Sequence, residues 1–370
     1  MHEQSEAAQS STLAAGTCLG KYQVVRLIGE GGMGAVYEGV HLAIGKKVAI
    51  KVLSSTLADD LDARARFLRE AQLTSRVRHP HAVDVTDVGT EAGLAFLVME
   101  FLEGEDLASF IDWRGRLPLE QAADIMLPVA AAVAAAHDEG IIHRDLKPHN
   151  IFLSQTRDGS IVPKVVDFGI SKGPNDPQSV AGLTSVSVMT PLVQTTVGLM
   201  GTPAFLSPEQ IEAQTVSAAS DQYGLGIILY QCVTGRPAFS SADEVTKIFG
   251  DIVNGKRTPA GDLRFDLPDG FQYIIDRATR RDPAARFPSV RAMGKALLAF
   301  ASPKAVLTYA RSFDDAEMSA VIPALPTPRR PLWRWIAAAL AAVALGAAAG
   351  AVAWDTFRAP APQTIETPAP

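Results

Sequence analysis

Ile28 to Lys51 reads IGEGGMGAVYEGVHLAIGKKVAIK, and the fold turns on how the chain continues beyond its glycines. Gly29, Gly31, Gly32 and Gly34 fall within six positions. Glycine at that density marks backbone that bends freely or lies close against a ligand. Gly29-x-Gly31-x-x-Gly34 alone is shared with dinucleotide-binding turns, which run from a strand through the glycines into a helix. Here Val36 and Tyr37 continue as strand, and the chain returns through Val48, Ala49, Ile50 and Lys51. That is a hairpin with a glycine-rich tip, so the dinucleotide reading is set aside. Lys51 falls in an apolar strand, where an unpaired ammonium is costly. It needs anionic partners, and Glu70 and a phosphate group are the candidates.

Outward from this hairpin, short β-rich runs fill Tyr22 to Val52 and predict a twisted antiparallel sheet. Leu61 to Val77 has helical spacing, with Leu61, Ala65, Leu68, Leu73 and Val77 as its expected apolar face. Two more strand-like runs end in LAFLVMEFLEG, Leu94 to Gly104. Past Gly104 the patterns lengthen into buried helices, Pro118 to Gly140 and Ser220 to Gly235. The expected class is α+β: a small sheet lobe over 21–103, carrying one key helix, and a larger, mainly helical lobe over 104–300.

The chain has 370 residues, of which 47% are hydrophobic and 20% charged, as in an ordinary globular protein. A net charge of −6 gives a nucleic-acid partner no electrostatic support. The two cysteines, Cys18 and Cys232, make no disulfide framework and no metal motif. Residues 1–20 are polar, lack the pattern of a signal peptide, and read as a disordered leader. Residues 301–332, with Pro303, Pro323, Pro326, Pro328 and Pro331, read as a proline-rich juxtamembrane linker.

Ile336 to Trp354 runs without a charge. As a helix it would be about 28 Å long, close to the hydrocarbon thickness of a bilayer. Trp333, Trp335 and Trp354 sit where interfacial aromatics belong, so 333–354 is expected to cross a membrane once. Arg329, Arg330 and Arg334 precede the run, which places the N-terminal bulk in the cytoplasm at the cell membrane. Residues 355–370, with Pro360, Pro362, Pro368 and Pro370, read as a short extracytoplasmic tail. Gly346-x-x-x-Gly350 offers a helix–helix contact and hence a route to a homodimer.

The chemistry gathers at two further stretches, IIHRDLKPHN (Ile141 to Asn150) and VVDFG (Val165 to Gly169). Asp145, Asn150 and Asp167 supply oxygen ligands suited to Mg²⁺ and one acid–base group. In order along the chain come GEGGMGAVY, VAIK, Glu70, HRDLKPHN, DFG, GTPAFLSPEQ, DQYGLG and Arg286 within RDPAARFPS. Over 21–300 this set resembles the eukaryotic-like serine/threonine protein kinases of bacteria.

The resemblance implies transfer of the γ-phosphate of ATP to Ser or Thr hydroxyls of protein substrates, with Mg²⁺, for which Mn²⁺ could substitute. It implies that the hairpin residues Gly29, Glu30, Gly31, Gly32, Met33 and Gly34 close over the phosphates. Lys51 would hold the α- and β-phosphates, oriented by Glu70. Asn150 and Asp167 would bind the metal, and Asp145 would take the substrate proton. Adenine would lie between Ile28, Val36 and Ala49 above and Phe152 below. Glu100 to Leu102 would offer backbone hydrogen bonds, with Met99 at the back.

Lys147 and Thr202 resemble the serine/threonine class. Glu209 is expected to pair with Arg286, and Asp221 to anchor the catalytic loop. Arg144 would receive an activation-segment phosphate, with Thr195 or Thr196 as the autophosphorylation site. The segment from Asp167 to Glu209 is longer than is usual for the family, through the added stretch Gly173 to Val193. Ser207, in place of the commoner alanine, is expected to matter little. Two rival readings are a scaffolding pseudokinase and a soluble kinase whose C-terminal run is only a linker.

Overall fold

Alternation along the first strands decides the sheet. The computed structural model describes residues 13–31, 34–58, 60–168, 203–239 and 244–314. Strands β1 (Cys18–Leu19), β2 (Tyr22–Gly31), β3 (Gly34–His41), β4 (Lys47–Leu53), β5 (Val85–Glu91) and β6 (Leu94–Glu100) form one antiparallel sheet in the order β1-β2-β3-β4-β6-β5. On β4 the period of two sends Val48, Ile50 and Val52 into a core with Leu19, Tyr22, Val24, Tyr37, Phe96 and Val98. Ala49 and Lys51 therefore share the opposite face, in register with Met99 and Leu97 of β6.

The leader is shorter than expected. Leu19 is buried, β1 pairs with β2, and the Leu13 N–H donates to the Tyr37 hydroxyl at 2.9 Å. Residues 13–19 thus belong to the sheet lobe, while 1–12 lie outside the described residues.

Helix α1 (Ser55–Ala58) leads to α2 (Leu61–Thr74), which starts where the Asp60 carboxylate accepts from the N–H groups of Asp62 and Ala63. The helix is where expected and its face partly so: Leu68 and Leu73 are half-buried against the core and Val77, just past its end, is buried. Phe67 and Ala71 pack against Leu53, Ala95 and Leu97 of the sheet, whereas Leu61 is 70% exposed and Ala65 is exposed. The sheet takes up the aromatic ring, and the first two positions of the expected face are left in solvent.

After β7 (Gly104–Asp106) come α3 (Leu107–Arg114) and α4 (Leu119–Asp138), then a 3₁₀ turn at Pro148–Asn150. Strands β8 (Ile151–Gln155) and β9 (Ile161–Val165) complete a second sheet, ordered β7-β8-β9. The helical lobe continues through α5 (Pro208–Ile211), α6 (Ala218–Thr234), α7 (Val245–Val253), α8 (Ala260–Leu263), α9 (Asp269–Ala278), α10 (Val290–Leu297) and α11 (Pro303–Tyr309). Its core joins Leu127 and Val133 of α4 to Leu229 of α6, Ile275 of α9 and Leu297 of α10. Among the described residues α4 is the one helix long and apolar enough to cross a membrane, and it is mostly buried as the core helix of this lobe. The expected span at 333–354 and the tail lie outside the described residues.

The linker also begins later than expected. Pro303 opens α11 at a position where proline is favoured, and a 3₁₀ turn follows at Ala310–Phe313. Phe313 is fully buried in the hollow left by Gly294, where a Cβ would stand 2.2 Å from the ring. The folded lobe therefore extends beyond 300 to 313.

Candidate active site

Gly31 pairs with Gly34 at the tip of the β2–β3 hairpin, and Gly32 and Met33 between them lie outside the described residues. The hairpin glycines differ in kind. Gly34 has φ +153°, and a Cβ there would stand 2.0 Å from the Val52 carbonyl oxygen. At Gly29 and Gly31 a Cβ would meet nothing within 4 Å. The fold demands glycine at 34, whereas at 29 and 31 it leaves open space. Glu30, between them, is exposed.

Beneath the hairpin, Lys51 Nζ lies 2.7 Å from Asp167 Oδ1, with the lysine side chain 15% exposed. The buried ammonium has the anionic partner its strand position requires, and that partner includes Asp167, which the sequence pattern did not pair with it. Removal from water acts to raise the Asp167 carboxyl, but the charge and hydrogen bond of Lys51 outweigh it and the net shift is downward. Glu70 sits on α2, one residue before the packed Ala71, and its side chain lies outside the described residues.

Asp145 stands in the loop between α4 and β8. Its Oδ2 accepts from Asn150 Nδ2 at 3.1 Å and lies 3.0 Å from Lys147 Nζ. Asn150 Nδ2 also donates to the Asp145 carbonyl at 2.8 Å, which commits the NH₂ end of the amide and leaves its oxygen as an acceptor. The Val166 N–H donates to the Asn150 carbonyl at 2.9 Å, which holds Asn150 and Asp167 at the same end of the β8–β9 hairpin. Among the described residues no group of three or more His, Cys, Asp and Glu could hold a metal by itself. One amide oxygen and one carboxylate fit a cation that takes its remaining ligands from phosphate and water.

The loop is pinned from behind. Asp221, 1% exposed, accepts the N–H of His143 and of Arg144, each at 2.9 Å, and contacts His137 Nε2 at 2.7 Å. Burial raises the Asp221 carboxyl, yet His137 and the loop donors outweigh it, and the shift is downward. His143 Nδ1 accepts the Asp145 N–H at 3.3 Å, so Nε2 carries the proton and donates to the Val166 carbonyl at 3.2 Å. Burial pushes its pKa down, consistent with this neutral ring, and Phe168 packs on it at 4.8 Å between centroids. Arg144 and Asp167 both hold non-glycine backbone at positive φ, +65° and +52°. Such conformations persist where surroundings over-determine them, and here both flank Asp145.

Of the residues expected to line an apolar slot for adenine, Ala49 is buried, Val36 and Phe152 are half-buried, and Ile28 is 41% exposed. Met99, expected at the back, packs on Leu53 and Phe67. Glu100 is only partly as expected. Its N–H donates to the Asp84 carbonyl at 2.9 Å, and its carboxylate takes Lys164 Nζ at 2.7 Å and the Asp84 N–H at 2.9 Å. In the rest of the connecting segment, the N–H groups of Phe101 and Leu102 have no backbone acceptor among the described residues.

Farther out, Glu209 and Arg286 form the expected buried pair, bidentate at 2.7 and 2.8 Å. All five guanidinium donors find acceptors, the others being the carbonyls of Ala219, Arg280 and Arg281. Ser207 is not the inert substitution expected: it is fully buried, and its N–H and hydroxyl both donate to Gln210 Oε1 at 3.0 Å. The Ser207-x-x-Gln210 spacing of a capping box was the signal that could have found this. Thr195, Thr196, Thr202 and the added stretch lie outside the described residues.

A glycine hairpin above an ion-paired lysine and a pinned aspartate, with a helical lobe below, is the architecture of the two-lobed protein kinases. The chain belongs to that family: the model of the protein kinase domain matches residues 22–296. It is 35% identical over 288 residues to the serine/threonine-protein kinase PkaA of Streptomyces coelicolor, covering 75% of this chain and 49% of that protein. It is also 35% identical to PrkC of Bacillus subtilis over 274 residues, covering 74% and 39%, and to PknA of Mycobacterium tuberculosis over 278 residues, covering 74% and 59%. The matched region thus spans about half the length of these relatives. Among solved structures, the PknI kinase domain of Mycobacterium tuberculosis aligns with a TM-score of 0.59 at 27% identity, over 78% of this chain and all of that one.

Proposed function

We propose that this chain is a serine/threonine protein kinase, which transfers the γ-phosphoryl group of ATP to Ser or Thr hydroxyls of proteins. The observation that carries the reading is the Asp145 carboxylate, fixed by Asn150 and Lys147 through one oxygen while Lys51 and Asp167 stand paired under the hairpin. Phosphoryl transfer asks for positioning and charge neutralisation more than covalent help. In this reading Asp145 orients the acceptor hydroxyl and takes its proton on a carboxylate oxygen. Lys147, on the same carboxylate, offsets charge on the transferred group. Lys51 holds the α- and β-phosphates, and the hairpin excludes water above them. Asn150 and Asp167 would hold Mg²⁺, which neutralises phosphate oxygens when bound. Leu102 and the slot from Ile28 to Phe152 take the adenine.

The names of PkaA, PrkC and PknA support the serine/threonine class. Mg²⁺-dependent transfer of labelled γ-phosphate to protein, lost in Lys51→Met and Asp145→Asn, is the expected result. A folded, ATP-binding wild type that transfers nothing would give the scaffolding reading instead.

Tethering to the cell membrane by 333–354, with the kinase domain in the cytoplasm, belongs to the same proposal and rests on the charge-free run and its arginine flank. Membrane fractionation of the full chain, beside a chain ending at 330, tests it. Self-association through Gly346 and Gly350 would be seen as crosslinked dimer lost on Gly346→Leu with Gly350→Leu.

A further inference from the structure

The SPEQ stretch, Ser207 to Gln210, reaches the catalytic loop at one point that the kinase reading leaves unused. Gln210 Nε2 donates to the carbonyl of Arg144 at 2.8 Å. The N–H of Arg144 itself donates to Asp221 Oδ1 at 2.9 Å. Arg144 therefore has both backbone polar groups anchored, one to α6 and one to α5, and it holds the left-handed backbone that directly precedes Asp145. The orientation of the Gln210 amide is itself determined. Its oxygen accepts two donors from Ser207, which turns the NH₂ end toward Arg144; a reversed amide would set oxygen against oxygen.

We propose that Gln210, oriented by Ser207, is a positioning residue for phosphoryl transfer: it fixes the Arg144–Asp145 peptide and through it the direction of the Asp145 carboxylate. The inference rests on the kinase reading above. It also gives the buried Ser207 a task beyond capping α5, since alanine would leave Oε1 with the backbone N–H alone.

Capping and positioning separate at a single substitution. Gln210 is the third residue of α5, where glutamate completes a capping box as well as glutamine does. Gln210→Glu keeps the acceptor for Ser207 and replaces the NH₂ group facing Arg144 with a carboxylate oxygen. The full-length chain is assayed with ATP and casein, and as autophosphorylation. The expected result is a kcat lowered roughly 10- to 100-fold, the scale of an ångström-level misplacement. KM for ATP stays near wild type, and the assay is run well below the variant's melting temperature, which the buried oxygen–oxygen contact is expected to lower. Activity recovers in part as pH falls, because the introduced carboxyl, once protonated, can again donate to the carbonyl. Gln210→Leu, without a donor at any pH, loses kcat and shows no such recovery.

Unchanged kcat in Gln210→Glu overturns the inference and leaves the kinase reading standing. So does a loss that merely tracks a lowered melting temperature and ignores pH. A wild type that transfers nothing overturns both together.

Discussion

Four glycines in one hairpin look alike as letters, and only the geometry separates them. Gly34 is kept by the chain's own backbone, through its positive φ and the Val52 carbonyl. Gly34→Ala is expected to destabilise by about 1–3 kcal/mol, read by thermal or denaturant unfolding. Gly31→Ala, whose Cβ meets nothing within 4 Å, should change stability by less than about 0.5 kcal/mol, and in the kinase reading it should raise KM for ATP by stiffening the hairpin that closes over the phosphates. Equal unfolding effects would dissolve the distinction. Arg286 gives the opposite case, a residue legible from its motif and matched by the structure donor for donor. Arg286→Met strands Glu209 without its cation in the interior and is expected to cost about 3–5 kcal/mol. Lys51 was legible as a buried cation needing an anion. Its pairing with Asp167 was not, because the two meet only when β4 and the end of β9 are brought together.

Helix α2 shows how far periodicity reaches. Its bounds were readable to within a few residues and its inward face in part: Leu68, Leu73 and Val77 pack inward, but over the first turns the sheet selected Phe67 rather than Leu61 and Ala65. Phe67→Ala is therefore expected to destabilise by about 3–5 kcal/mol, and Leu61→Ala by less than about 0.5 kcal/mol. The reverse order, measured by denaturant unfolding, would return the face to the one the spacing suggests. Helix α11 was missed for a related reason. Proline and a run of small residues signal a linker, yet Pro303 is a helix-opening proline, and Ser302 caps the helix through the Ala305 N–H. A chain ending at 300 loses the buried Phe313 ring and is expected to melt below one ending at 314, by about 3–5 kcal/mol of stability.

Across the whole molecule, buried and half-buried ionisable groups set the response to acid. Burial, with His81 and Lys164 nearby, pushes His79 down to about 4, and burial also lowers His81 and His143. These rings stay neutral in the folded state while the unfolded chain takes up protons below its ordinary histidine pKa of about 6.5. Their contribution is thus complete above about pH 6.5 and is lost as pH falls toward the folded values. Asp167, Glu209 and Asp221 are lowered too, so theirs is complete above the ordinary carboxylate range of about 4 and is lost below it. The melting temperature is expected to decline gently from about pH 6.5 and steeply below about pH 4, with His79→Gln flattening the first part. The two lobes and the ordered motifs were legible in the chain. The margins were not: residues 13–19 and 303–313 carry no family pattern, and their place is decided by hollows such as the one at Gly294. That hollow has a consequence for chimaeras. A recombination breakpoint at the edge of the recognisable family, residue 296, cuts a ring from its socket, whereas one after 314 moves the module whole.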